Sequence, residues 1–182
     1  MKHNFGMALT LILLGVTSRL LPHPPNFAPI AAVAIFSGMY LKQWWGFTIP
    51  LITMIGSDII IGFYSWPIMA SVYTGFLISF IVGRWITLIA KNKLRRTISG
   101  TVLSSILFFV LTNWAVWAFG SMYPHTLGGL TASYTMAIPF FRNSLLGDLF
   151  FVGILVGTME AISNVITQTV PPLHTPHRRH RS

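Results

Sequence analysis

Apolar residues fill this chain in long blocks, and polar residues fall in short clusters between them. A transmembrane helix needs about 20 mostly apolar residues, within a range of about 17–25. Six blocks meet or approach that length. The first runs from Phe5 to Leu21 and stops at Pro22-His23-Pro24-Pro25-Asn26. The second is short, Phe27 to Leu41, and stops at Lys42-Gln43-Trp44-Trp45. The third is Gly46 to Phe63, ended by Tyr64-Ser65-Trp66, and the fourth is Pro67 to Ala90, ended by the basic stretch Lys91 to Arg96. The fifth is Ile98 to Gly120 and the sixth Asn143 to Gln168, after which Pro171-Pro172 opens a polar tail. A longer connection, Ser121 to Arg142, separates the last two. Its second half, Thr131 to Phe141, is apolar but only about three turns long, too short to span. It is expected to lie re-entrant or along the interface, with Pro139 breaking it.

The pattern predicts an all-α integral membrane bundle of six transmembrane helices. Residues 1–170 form one domain and 171–182 a basic cytoplasmic tail. The first block has a second reading as a cleaved signal peptide, since Lys2 precedes an apolar core. It lacks a small-x-small cleavage site, and counting it as a helix gives a consistent orientation, so it is kept as a span.

Composition excludes the other classes. Hydrophobic residues make up 53% of the chain and charged residues 8%, against about 25% charged in a soluble domain. A water-soluble enzyme and a disordered chain are both ruled out. The net charge of +9 would suggest nucleic acid in a soluble protein. Here its placement matters more. Lys2, Lys42, Lys91, Lys93, Arg95, Arg96, Arg178, Arg179 and Arg181 lie at the termini and even-numbered connections, while the odd-numbered ones hold only Arg19 and Arg142 at their edges. Basic residues stay on the cytoplasmic side, so both termini are expected inside a bacterial inner membrane, with no nucleic-acid partner. His174, His177 and His180 alternate with Arg in the tail and read as a polybasic segment on anionic lipid. Cysteine is absent, which removes disulfides, thiolate metal sites and a Cys nucleophile.

An ionisable group in hydrocarbon is unfavourable by about 2.5–3.5 kcal/mol on insertion scales and persists where it faces the bundle interior. All three acids fall inside predicted spans. Asp58 and Asp148 lie near outer helix ends, at similar depth to Arg19, Arg142 and Asn113. Two readings stand together: Arg19 and Arg142 pair with the two acids to lock helices, or these groups line a solvated hollow. Glu160 lies in the inner half of the sixth span, where a structural ion pair with Arg84 is expected. Three prolines in Leu21–Phe27 make the first outward loop stiff, fit either to cap a cavity or to serve as a tight connector. Tyr64, Trp66, Trp114, Trp117, Tyr123 and Tyr134 crowd the same side, as an interfacial belt or as cavity walls; Trp117 sits one turn beyond Asn113. His23 and His125 read as hydrogen-bonded loop residues before metal ligands. Gly153-x-x-x-Gly157-x-x-x-Ala161 predicts close packing within the bundle, and Ala28-x-x-x-Ala32 offers a small-residue stripe to a partner. No phosphate-binding loop, H-E-x-x-H, G-x-S-x-G or paired-Asp motif is present, so no cofactor or enzymatic activity is expected.

Several motifs carry a resemblance. Arg19-Leu20-Leu21-Pro22-His23-Pro24-Pro25-Asn26-Phe27, Asp58 with Gly62-Phe63, Phe108-Phe109 with Thr112-Asn113-Trp114, Tyr123-Pro124, and Ile138-Pro139-Phe140-Phe141-Arg142-Asn143 with Gly147-Asp148 look like a family of small bacterial membrane proteins. That family is similar to the substrate-binding S components of energy-coupling-factor vitamin transporters, and the resemblance covers Arg19 to Gly157. It implies a vitamin-sized site at the outer face, built from the odd-numbered loops. It also implies docking through small residues of an early helix, here Ala28, Ala32 and Ala34, on a transmembrane partner joined to ATPases. Solitary cobalamin transporters among the relatives use a Cys as cobalt ligand. This chain has none, which leaves only His23 or His125 as substitutes.

The reading that follows is a membrane transport protein capturing a small vitamin-like solute. Its expected ligand contacts are Arg19, Asp58, Asn113, Arg142 and Asp148, the aromatics Tyr64, Trp66, Trp117 and Tyr123, and the loop residues His23, Asn26, His125 and Asn143. The alternatives are a structural or assembly protein without ligand, and a membrane enzyme acting on an amphiphile with His125 as base.

Overall fold

The structure is a computed structural model that describes residues 2–41, 43–88 and 92–169. Its elements are α1 (Lys2–Leu20), α2 (Ile30–Tyr40), α3 (Gln43–Ile61), α4 (Trp66–Leu88), α5 (Lys93–Phe119) and α6 (Leu127–Thr169). The helices stop where the chain changes chemistry. Leu21-Pro22 ends α1, and Gly62 ends α3 with φ at 109°, a left-handed value that glycine adopts without strain. The tail of residues 171–182 lies outside the described residues.

The short α2 is the centre of the molecule. Its sequence, IAAVAIFSGMY, is apolar on every face, and each residue from Ile30 to Met39 is buried. A helix that is apolar all round belongs in a core. Eleven residues reach only about 17 Å. The stretch before it, from Leu21 to Pro29, is non-helical, with Asn26 at a φ of 60° and Pro29 fully buried. The other five helices surround α2. Its tightest crossing is with α4. A Cβ on Gly38 would lie 2.2 Å from the Phe80 carbonyl oxygen, and one on Gly83 would lie 2.1 Å from the Ile35 carbonyl oxygen. Backbones approach so closely only because both positions lack a side chain.

Helix α5 packs on α4 in the same manner: Gly75 receives the Phe108 ring, and Gly100 receives Ile86 and Val82. Helix α6 then runs antiparallel to α5. Tyr134 donates to the Val110 carbonyl at 2.8 Å, Ser105 donates to Asp148 at 2.7 Å, and Lys93 meets Glu160 at 2.6 Å.

Three expectations need correction. The segment Thr131–Phe141 is neither re-entrant nor separate, and Pro139 does not break it: α6 is continuous over 43 residues with Pro139 inside. A mid-helix proline is unfavourable by about 3 kcal/mol. Contacts on both sides of it hold the helix to α5, with Phe109 packing on Tyr134 at 5.5 Å and on Phe141 at 4.8 Å. Second, the alanine stripe is not a docking surface. Ala32 and Ala34 are wholly enclosed by this chain's own helices, and Ala28 precedes the helix. Third, a Cβ on Gly153 or Gly157 would meet nothing within 4 Å, so that stripe does not pack inside the described bundle.

Among the described residues, three helices are long and apolar enough to cross a membrane: Trp66–Leu88, Lys93–Phe119 and Leu127–Gln168. Phe5–Leu20, Ile30–Tyr40 and Trp45–Ile61 are shorter apolar helices. Only 11% of the most apolar stretch of α6 is buried within the protein. Such a surface suits lipid rather than water.

Candidate functional site

Because α2 begins late, the bundle lacks a helix at the end where residues 21–29 lie. A cavity of about 490 Å³ occupies that place. Arg19 of α1 and the loop residues His23, Asn26 and Ala28 line it on one side. Ile30 and Ala31 of α2 and Met54 and Ile61 of α3 add to the walls. Opposite them stand Phe76 of α4, then Ser105, Phe108, Phe109, Thr112 and Asn113 of α5, then Ala137, Phe140, Phe141, Ser144 and Asp148 of α6. The volume falls within the roughly 300–1,000 Å³ of small-molecule sites, and the mix of aromatic wall with a few polar groups is also typical of them.

The loop that roofs this space is tied down. Asn143 donates its side-chain amide to the Pro25 carbonyl at 3.0 Å, and Phe27 packs on Phe150 and Phe151 at 6.0 and 5.5 Å. The first intrahelical bond of α2 runs from the Val33 amide to the Pro29 carbonyl at 2.7 Å. Pro29 has no N–H, and no side chain caps the helix. The first amides of α2 therefore put the positive end of its dipole beside the cavity.

Two acids of this region differ in their surroundings. Asp58 is fully buried and compensated. Arg19 Nη1 lies 2.7 Å from its Oδ1, and the Tyr73 hydroxyl donates to its Oδ2 at 2.7 Å. The same guanidinium donates to Ser57 Oγ at 2.5 Å and to Met54 Sδ at 3.2 Å. Tyr64, in the loop after α3, has its phenol pushed up from the usual value. Burial is the main cause; the negative charge of Asp58 adds to it and Arg19 opposes it.

Asp148 is 5% exposed and accepts one hydrogen bond, from Ser105 Oγ at 2.7 Å. Among the described residues no Lys, Arg or His lies within ion-pair distance of it. The expected pairing with Arg142 does not form. Arg142 lies six residues earlier on the same continuous helix, roughly 120° around the axis, and is exposed.

Of the residues expected to meet a ligand, Arg19, His23, Asn26, Asn113 and Asp148 line the cavity, and Asp58 stands behind Arg19. Asn113 donates its amide back to the Phe109 carbonyl at 2.8 Å. Tyr64, Trp66, Trp117, Tyr123, His125, Arg142 and Asn143 do not line it. Trp66 is 75% exposed. Trp117 instead donates to the Pro124 carbonyl at 3.1 Å and packs edge-on against His125, which fixes the loop between α5 and α6. Glu160 pairs with Lys93 and accepts from the Tyr40 hydroxyl at 2.5 Å, not with Arg84. Sequence reasoning missed Ser105 and the phenylalanine walls. The paired Phe108-Phe109 and Phe140-Phe141, each a turn from a polar residue, Thr112 and Ser144, were the available signal.

Together these features define an all-α protein with membrane-length apolar helices and an aromatic cavity holding an uncompensated acid. The chain belongs to DUF6580, a family of unknown function, whose profile matches residues 1–171. No curated protein and no solved structure matches it.

Proposed function

We propose that this is a membrane transport protein that captures a small vitamin-like solute in the cavity beneath the Pro22–Asn26 loop. In this reading all six helices belong to an inner-membrane bundle with both termini cytoplasmic, as the distribution of Lys and Arg favours. The cavity then opens toward the outside, in the manner of an S component. Energy comes from a gradient or from an ATPase-driven partner, and such a partner must use a face other than the enclosed Ala32 and Ala34.

The observation that carries the reading is Asp148. A structural protein without ligand accounts for Arg19, Asp58 and Tyr73, which satisfy one another. It leaves unexplained a buried carboxyl that lines an aromatic-walled space and has no cationic partner among the described residues. Intramembrane acids of this kind mark solute or ion pathways.

The test is a plug. Ala137 lines the cavity, and Ala137→Trp fills part of it. The full chain is purified in mild detergent and the small molecules that co-purify are identified by mass spectrometry. A solute present with the wild type and lost from an equally stable Ala137→Trp supports capture. No bound molecule in the wild type, or one retained undiminished by the plugged variant, refutes it.

A further inference from the structure

We infer that the captured solute is a small organic cation with a flat ring system, its positive charge held by Asp148 and its ring by the phenylalanine walls. This rests on the capture reading above and adds the class of molecule.

The charge balance of the cavity points there. Arg19 is the one permanently charged basic residue in the lining, and Asp58 neutralises it at 2.7 Å. His23 is exposed at the rim, with Nδ1 engaged at 2.7 Å by the Leu21 carbonyl. Asp148 alone has no counter-charge among the described residues. The Ser105 hydroxyl of α5 donates to it, and the apolar start of α2 lines the same cavity. The dipole of α2 contributes roughly half a charge at most, and no side chain links it to the carboxylate. The carboxyl is therefore left without a charged partner. An anion entering the cavity finds no free cationic partner there, since Arg19 is engaged by Asp58, whereas a cation supplies the partner that a buried carboxylate needs.

The walls agree. Phe76 and Phe108 form a tilted pair with centroids 4.9 Å apart, and Phe109 and Phe141 form another at 4.8 Å. All four line the cavity. Aromatic faces carry negative quadrupoles that attract cations and stack on flat rings. The Ser105 hydroxyl occupies Oδ2 and leaves Oδ1 to the solute.

Matched probes test this on the detergent-solubilised full chain by equilibrium dialysis. One trio is N-methylnicotinamide cation, neutral nicotinamide and anionic nicotinate; a larger trio is N-methylquinolinium, quinoline and quinoline-3-carboxylate. The cation of at least one trio is expected to bind tenfold or more tightly than its neutral and anionic partners. Asp148→Asn removes that preference, while Ser105→Ala, which keeps the carboxyl, retains it. Thermal stability without probe checks that both variants fold. Anions or neutral compounds that bind best, and are excluded by Ala137→Trp, overturn the cation class and leave capture standing. An Asp148→Asn protein that is folded and keeps the cation preference also overturns it. Where neither trio binds, the charge of the co-purified molecule decides. Absence of any bound molecule removes the capture reading itself.

Discussion

Substituting Gly83 by alanine tests the central packing of the bundle. Intrinsic helix propensity favours the change by about 1 kcal/mol, so in isolation it should stabilise α4. The structure reverses that sign. The new Cβ would stand 2.1 Å from the Ile35 carbonyl oxygen. Both atoms belong to backbone or are fixed to it, so neither can rotate away. Ordinary contact begins at 3.4 Å, so α2 and α4 must separate by about 1.3 Å. A gap near 1 Å forfeits roughly a quarter to a half of each dispersion contact, and this layer holds Ala32, Ile35 and Met39 against Val82 and Ile86. Overpacking of this kind typically destabilises by up to about 3 kcal/mol. Subtracting the propensity gain leaves about 2 kcal/mol of net loss. For a chain of this size that lowers the melting temperature by about 4–8 °C. The assay is thermal unfolding in detergent, followed by loss of the monodisperse peak in size-exclusion chromatography. Gly153→Ala, which meets nothing within 4 Å, is the control and should hold or raise the midpoint. A Gly83→Ala protein as stable as the wild type would refute the close-crossing argument.

Three further outcomes are expected. Arg19→Ala leaves Asp58 buried beside Tyr73 alone and should lower stability by about 3 kcal/mol; the double variant Arg19→Leu, Asp58→Leu should recover most of this in the same unfolding assay. Lys93→Ala removes an ion pair whose partners are 46% and 43% exposed, and should shift stability by less than about 1 kcal/mol; a larger loss in the same assay would contradict its surface character. Tyr64 has a raised phenol pKa in the folded chain, so folding favours its protonated form. Its contribution is complete below the unfolded value near 10 and declines as pH climbs toward the folded one. Melting curves between about pH 9 and 11 should therefore fall more steeply for the wild type than for Tyr64→Phe.

The helices were readable because length and apolarity act locally: α4 and α5 follow from long stretches rich in Ile, Leu, Val and Phe bounded by Trp66, the Lys91–Arg96 stretch and Gly120. The partnership of Arg19 with Asp58 was also readable, since each lies near the same end of its helix and a buried charge requires an opposite one. Asp148 was not, because its environment depends on which face of α6 meets α5. That face follows from Pro139 remaining inside a continuous helix, an outcome decided by the packing of Phe109 between Tyr134 and Phe141. The aromatic assignments failed for a related reason. Tyr and Trp carry polar tips that seek carbonyls, as Trp117 does at Pro124 and Tyr134 does at Val110. The cavity instead uses phenylalanine, which has no such claim on it. The alanines of α2 were misread because small residues signal close approach without naming the neighbour, which here is the chain itself.

The wholly enclosed α2 also bears on how much of this protein a cell retains. Eleven residues are too few for a helix to persist alone, so α2 owes its existence to the neighbours that close around it. A lesion at Gly38 or Gly83 would leave this segment exposed to quality-control proteases while the aromatic chamber stays chemically unaltered. Defects there should register as scarcity on an immunoblot, whereas Asp148→Asn, which removes no packing at that crossing, should leave the amount of protein unchanged.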